Sequence, residues 1–573
     1  MATNTSGASS SAASTADLAS SSKTSTPVHL IVLCHGLWGE PKHLRTLETL
    51  LANSFGEQTT IVNATGKREK TKFVGNESDD SIKKSTKKTK EEIKKEKAQK
   101  EEEELDRLHE KLLSKYASKV RDQNAEDHMN VVILNTSSNE GGKTYDGIDW
   151  LGERVVREIK IEQRKLAKEG KQIERFSMVG YSLGGLVVRF AAGLLESQSF
   201  FTPARRPPIQ ARQVITIATP HIGSPPGSGT FGRLVGYFGA RLLSRTGEQI
   251  YGADQGWQVE GEEGKVGLLE YMSKPDTYFI RALNRFEKVH FYANAVNDIT
   301  VPFRTGCIEL WDPFVEQEDG VDVKLLSDAA ILTDVQLHEP EKQTFLQNIR
   351  AKVSKTPGFL NPNRIPMNFP YNYIIFFGLP VLFPIFAVRV VYKLSKDSQK
   401  SRLRIEELER KWNELEFEED GNEEQNQTSI ESVEDDKQTR NATEERTSRL
   451  MKNMVMAVAE DNVESERDLI PGLATPHEHV TTEPSQTTRP PWHSPWKHGE
   501  LPKSKKQAPL SPAQRTMVAN LNNPDILPKL TKVWTYYPDM NNSHAIIIAR
   551  SLSIEPHRKG LPIVKHIVDD FLS

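Results

Sequence analysis

The stretch FSMVGYSLGGLVVRF, residues 176–190, reads as a strand, a tight turn and a helix in immediate succession. FSMVG is an apolar run of strand length, and LGGLVVRFAAGLL repeats its apolar residues at helical spacing. Between them, Gly180-Tyr181-Ser182-Leu183-Gly184 fits the G-x-S-x-G nucleophile elbow, in which a serine stands on a strained strand-to-helix turn. Gly180, Gly184 and Gly185 provide the clearance that lets strand and helix approach around it. The helix N-terminus also points backbone N–H groups at developing negative charge. Ser182 is therefore the candidate nucleophile. A glycine-rich turn with an incidental serine is the bland alternative, and the strand before it and the helix after it weigh against that reading.

Working outward, the chain alternates apolar runs with helical periods. VHLIVLCHG opens at Val28, MNVVILN runs from Met129 to Asn135, and WLGERVVREIKIEQRKLAKEG follows as a helix. After the elbow come QVITIATP and, past a long excursion, VHFYANAV. Continuous apolar strands separated by amphipathic helices are the signature of a mostly parallel α/β sheet covered on both faces. The excursion, residues 224–286, holds GRLVGYFGARLL and LLEYMS, helical and apolar on one side, and reads as a lid insertion.

An elbow needs a second oxyanion donor from the loop after an early strand. Cys34-His35-Gly36-Leu37-Trp38-Gly39 occupies that place, so the backbone N–H groups of Leu37 and Leu183 are the candidate donors. His35 reads as a brace for its loop rather than a base, with site lining as a further role. His221, in ITIATPHIGSP, is a second candidate for lining the site. Cys34 reads as a buried small apolar residue. The acid should follow the serine, and Asp298 lies just past the strand VHFYANAV; an Asx-turn residue is the alternative reading of it. Asp312 and Asp334 follow no comparably clear strand. Two histidines compete for the base. His338 precedes the helical EKQTFLQNIRAKV, and His544 follows the aromatic strand VWTYYPD and precedes IIIAR; local pattern does not separate them. His557 and His566 read as surface residues, and His477 and His479 lie in linker without metal-ligand context.

Six segments, taken in order, carry a resemblance: IVLCHGLWGEPKHL, KTYDGIDWLGERVVREI, FSMVGYSLGGLVVRF, ITIATPHIGSP, YANAVNDITVPF and NNSHAIIIAR. Together they are similar to the fungal serine-esterase/lipase family, over residues 28–346 and again over about the last sixty. The resemblance implies an α/β-hydrolase fold and lipid ester hydrolysis without a cofactor. It places Ser182 as nucleophile, Asp298 as acid and His544 as base. It also implies an apolar segment between acid and histidine, matched here by residues 373–388.

The rest of the 573 residues bound the reading. Lys+Arg is 75 against Asp+Glu 78, a net charge of −3, so no basic excess points to nucleic acid. Two cysteines exclude a disulfide framework and a Cys-rich zinc module. Residues 1–27 are Ser/Ala/Thr-rich and read as a disordered tail, ahead of a hydrolase core at 28–350. A Lys- then Glu-rich insertion covers about 67–128. Residues 365–388 contain 24 uncharged positions, about 36 Å of helix against roughly 30 Å of hydrocarbon. A single span would strand His544 across the bilayer from Ser182, so the segment at 365–394 is expected to enter and leave on one side; Pro380 and Pro384 suit a hairpin. A charged helix and disordered linker (395–512) and a C-terminal part that completes the core (513–573) follow. The expected partners are a lipid substrate and a membrane or lipid-droplet surface, on a lipid droplet or the cytosolic face of the endoplasmic reticulum. A lipid-anchor deacylase of the endoplasmic reticulum and a catalytically silent membrane scaffold are the competing readings.

Overall fold

The computed structural model describes residues 25–56, 59–62, 68–70, 113, 129–202, 207–225, 239–254, 256–258, 265–316, 321–326, 330–337, 388–408, 410, 492–493, 507–540 and 542–572. Strand β1 (Thr26–Cys34) is apolar along both faces, which suits it to the sheet interior. It pairs in parallel with β4 (Asn130–Asn135) on one side and with β5 (Lys171–Tyr181) on the other. Its side chains alternate: Val28, Leu30, Val32 and Cys34 enter one apolar cluster, Ile31 and Leu33 the other. Beyond β4 lie β2 (Thr59–Val62), parallel to it, and β3 (Arg68–Lys70), antiparallel to β2. Beyond β5 lie β6 (Gln210–Ile217), β7 (Lys288–Asn294) and β11 (Leu530–Thr535), all parallel. The far edge is the antiparallel hairpin β8 (Val321–Leu326) and β9 (Ile331–Leu337), with the short β10 (Trp492–His493) beside β9. The order across the sheet is β8-β9-β11-β7-β6-β5-β1-β4-β2-β3. The fold is thus α/β with a mostly parallel sheet.

Parallel neighbours need crossovers, and the helices take both faces. On one face pack α2 (Ile148–Lys168), α3 (Leu183–Ser197), α5 (Tyr278–Arg285) and α7 (Pro512–Leu521). On the other pack α1 (Arg45–Phe55) and the C-terminal α8 (Leu561–Leu572). Of the excursion at 224–286, the described part includes α4 (Ser244–Tyr251), while α5 is core: a Cβ at Gly193 of α3 would meet the Phe279 ring at 2.1 Å.

Helix α7 begins inside the stretch read as linker. Its signal is a capping box, Ser511 and Gln514 bonding reciprocally to each other's backbone, with Pro512 at the first helical position. Residues 388–408 form a further helix, α6, and its Ile405 is buried in the same cluster as α2 and α3. The apolar stretch before residue 388 and nearly all of the charged insertion lie outside the described residues. Among the described residues, no helix is long and apolar enough to cross a membrane.

Candidate active site

Strands β5, β7 and β11 run parallel, so their carboxyl ends open on one edge of the sheet, where α/β proteins build their sites. Ser182 follows β5 directly and takes φ 57° and ψ −127°, outside the regions that L-residues favour. The surroundings enforce this. Ser182 N–H donates to the Ile217 carbonyl at 2.8 Å, and Gly185 N–H donates to the Ser182 carbonyl at 3.0 Å. A Cβ at Gly180 would lie 2.3 Å from the Gly184 carbonyl oxygen, and one at Gly185 would lie 1.9 Å from Thr219 Oγ1. Only glycine permits this approach of strand, turn and helix.

The loop after β1 lies against Ser182. A Cβ at Gly36 would stand 2.7 Å from Ser182 Cβ, and one at Gly184 would stand 2.3 Å from the Cys34 carbonyl oxygen. Leu37 follows Gly36, which packs on Ser182, and Leu183 opens α3 directly after Ser182. His35 is buried behind this loop, where its Nδ1–H donates to the Gly36 carbonyl at 3.1 Å. Burial lowers its pKa and favours the neutral ring. It braces the loop. Burial pushes the Cys34 thiol up to about 12, so it holds no thiolate at neutral pH.

The loop that carries Asp298 follows β7. Asp298 uses its two oxygens differently: Oδ1 accepts the N–H groups of Thr300 at 3.0 Å and Val301 at 2.8 Å, while Oδ2 accepts Asn294 Nδ2 at 2.8 Å. The second oxygen also meets His544 Nδ1 at 2.9 Å. His544 Nε2 lies 3.0 Å from Ser182 Oγ. Ser182 and His544 are each 7% exposed, buried yet reachable. Tyr181, next to Ser182, donates from its hydroxyl to the His544 carbonyl at 3.0 Å, and its ring lies 5.1 Å from the imidazole.

Of the competing acids and bases, Asp312 caps a local turn through Phe314 N–H at 2.9 Å, and Asp334 pairs with Lys324 at 3.0 Å. His338 falls outside the described residues. His566 is half-buried, not on the surface, and bonds Tyr292 Oη at 3.0 Å. His221 does not line the site, which corrects that expectation. Its ring stacks on Phe291 with centroids 4.0 Å apart, Nδ1 accepts Arg189 Nη1 at 3.2 Å, and Nε2 meets Thr216 Oγ1 at 2.9 Å. One face of the imidazole and both of its nitrogens are taken, and burial holds its pKa well below the usual histidine range.

A parallel α/β sheet carrying a serine on a strained elbow, with histidine and aspartate in bonded series, has the organisation of an α/β-hydrolase. Residues 103–309 match the family described as "Putative serine esterase (DUF676)". The matched span holds Ser182 and Asp298 and ends before His544. "Putative lipase C4A8.10" of Schizosaccharomyces pombe is 29% identical over 187 residues, 31% of this chain and 22% of that protein. "Putative lipase ROG1" of Saccharomyces cerevisiae is 28% identical over 233 residues, 39% of this chain and 30% of that protein. The aligned stretch thus spans less than a third of either relative. Among solved structures, the lin2722 gene product of Listeria innocua aligns at 15% identity over 46% of this chain and 70% of its own, TM-score 0.21. A "putative cell surface hydrolase" of Lactobacillus plantarum WCFS1 aligns at 13% identity over 49% and 74%, TM-score 0.22.

Proposed function

We propose that the protein is a lipid ester hydrolase, a phospholipase or acylglycerol lipase, working through an acyl-enzyme at a lipid-droplet surface or the cytosolic face of the endoplasmic reticulum. The observation that carries this reading is the unbroken series from Asp298 Oδ2 through His544 to Ser182 Oγ, at 2.9 and 3.0 Å. In this reading His544 Nε2 takes the hydroxyl proton as Ser182 Oγ attacks an ester carbonyl. Asp298 holds the imidazole with Nδ1–H toward itself and balances the charge that forms. The N–H groups of Leu37 and Leu183 receive the oxyanion. The protonated histidine releases the alcohol, then activates water against the acyl-serine.

Lipid as the substrate is supported by the relatives' description as putative lipases and by exposed apolar side chains next to the site residues in the chain. Trp38, beside Leu37, is 52% exposed, and Ile299, beside Asp298, is 74% exposed. Large exposed apolar side chains beside site residues suit an acyl chain or a lipid surface. Helix α6 adds exposed Val388, Val391 and Tyr392 among Arg389, Lys393 and Lys396, directly after the long uncharged sequence. The test is hydrolysis of a panel of dispersed phospholipids and acylglycerols by wild type beside Ser182→Ala. Wild type should release fatty acid, and the variant should fall by at least about a thousandfold. Comparable turnover by Ser182→Ala would remove the serine mechanism; turnover of water-soluble esters alone would remove the lipid assignment.

A further inference from the structure

We propose that helix α6 is a positioning element for the oxyanion loop, acting through Ser401 and Arg404 on Asp146; this rests on the proposed serine mechanism. Asp146 has a fully buried side chain. Its Oδ1 accepts Ser401 Oγ at 2.6 Å and Arg404 Nη2 at 2.7 Å. Its Oδ2 accepts Arg154 Nη2 at 2.6 Å and Arg404 Nε at 3.2 Å. A carboxylate whose lone pairs are met by two guanidinium groups and a hydroxyl is held firmly, and such charge-assisted bonds are the strong ones. Arg404 Nη2 also donates to the Gly142 carbonyl at 2.8 Å. Arg404 therefore ties α6 to both the start and the end of the turn Gly141–Tyr145.

That turn in turn carries the oxyanion loop. Thr144 Oγ1 accepts the Trp38 N–H at 3.2 Å, Tyr145 Oη accepts Trp38 Nε1–H at 2.7 Å, and Gly141 N–H donates to the Gly39 carbonyl at 3.1 Å. These bonds hold Trp38 and Gly39, the residues directly after Leu37, the proposed donor. Trp38 sits at φ 54°, a left-handed conformation that costs a non-glycine residue about 1–2 kcal/mol and persists only when neighbours hold it. The same turn is gripped from the far side, since Thr246 Oγ1 of α4 donates to the Thr144 carbonyl at 2.8 Å. The helix that follows the long uncharged stretch is thus linked to the proposed donor, Leu37, through the turn Gly141–Tyr145 and Trp38.

The experiment uses the full chain and a water-soluble short-chain ester, so that lipid binding does not enter. Arg404→Ala should lower kcat about tenfold at unchanged KM, since a misplaced oxyanion donor weakens the transition state and not the ground state. Tyr145→Phe, which removes only the acceptor for Trp38, should do the same. The double variant should be no slower than the slower single one, because both act through the same turn. Wild-type kcat in Arg404→Ala overturns the proposal, and so do losses that multiply in the double variant. If Arg404→Ala fails to fold, Ser401→Ala removes a single bond and should lower kcat about twofold to threefold, with wild-type kcat again overturning the idea. Ser182→Ala in the same assay separates the two readings. If it stays inactive while Arg404→Ala matches wild type, only the role of α6 is lost; if it turns over normally, the serine mechanism is lost as well.

Discussion

The smallest scale at which the chemistry is decided is a single carboxylate. Asp298 could be read from the sequence as an acid or as an Asx-turn residue, and in the structure those are the two ends of one side chain. Oδ1 is committed to the N–H groups of Thr300 and Val301, which fixes the carboxyl plane and leaves Oδ2 for His544. A substitution exploits this. In Asp298→Asn the amide oxygen must stay on the two backbone N–H groups, so the NH2 falls at the Oδ2 position. There it faces Asn294 Nδ2 and His544 Nδ1. The imidazole can then avoid a donor–donor clash only by carrying its proton on Nε2, toward Ser182, where a base is needed. Turnover at neutral pH should drop by about ten-thousandfold with the unfolding midpoint little changed. Retention of even a tenth of the activity would place the acid elsewhere. The elbow was legible at this scale because glycines at 180, 184 and 185 write their clearance into the sequence. The role of His221 was not, because a histidine that fills a core beside Phe291 has the same letter as one that lines a pocket.

At the scale of elements, the site depends on two loops laced together across some 240 residues of chain. Asn297, at φ 61°, donates from its side-chain amide to the carbonyls of Tyr537 and Pro538, both at 2.9 Å. Its own carbonyl accepts Ser543 N–H at 2.8 Å, and Ser543 Oγ donates to the Val296 carbonyl at 2.8 Å. The loops that carry Asp298 and His544 are therefore bonded directly to each other. Asn297→Gly tolerates the positive φ and keeps the backbone bond, yet loses both amide bonds. It should leave KM unchanged and lower kcat about tenfold, with a stability loss of about 1–2 kcal/mol by urea titration. An unchanged kcat would show that the lacing is only structural. Elements differ in how far the sequence reveals them. The strands and α3 announce themselves by unbroken or periodic apolar runs. Helix α7 left only its capping box, Ser511 to Gln514, in a polar, proline-rich setting. Helix α6 is highly charged along its length, and nothing in that pattern tells that Arg404 meets a buried aspartate.

For the molecule as a whole, the sheet is continuous only because β11 enters it between β7 and the β8–β9 hairpin. β11 pairs with β7 along its whole length, from Leu530 beside Val289 to Thr535 beside Asn294, and the chain then turns directly into the loop that carries His544. A fragment ending at Lys355 should therefore leave β7 as an unpaired apolar edge, and such edges aggregate. It should be largely insoluble and unreactive toward a fluorophosphonate probe, and co-expression of residues 507–573 should restore labelling of Ser182. Labelling of the fragment alone at the full-length rate would give the base to a histidine before residue 355, with His338 first in line. What the sequence determined by itself was local: apolar runs covered on both faces, the elbow with its glycines, an aspartate just beyond a strand. These follow from near-neighbour sterics and side-chain periodicity, which a linear string records directly. What only the tertiary structure decided was which distant groups meet. His544 comes within 3.0 Å of Ser182 because parallel strands align their carboxyl ends whatever their order in the chain. His221 is withdrawn into the core and α6 is fastened to Asp146 by contacts of the same long-range kind, and no local pattern encodes them.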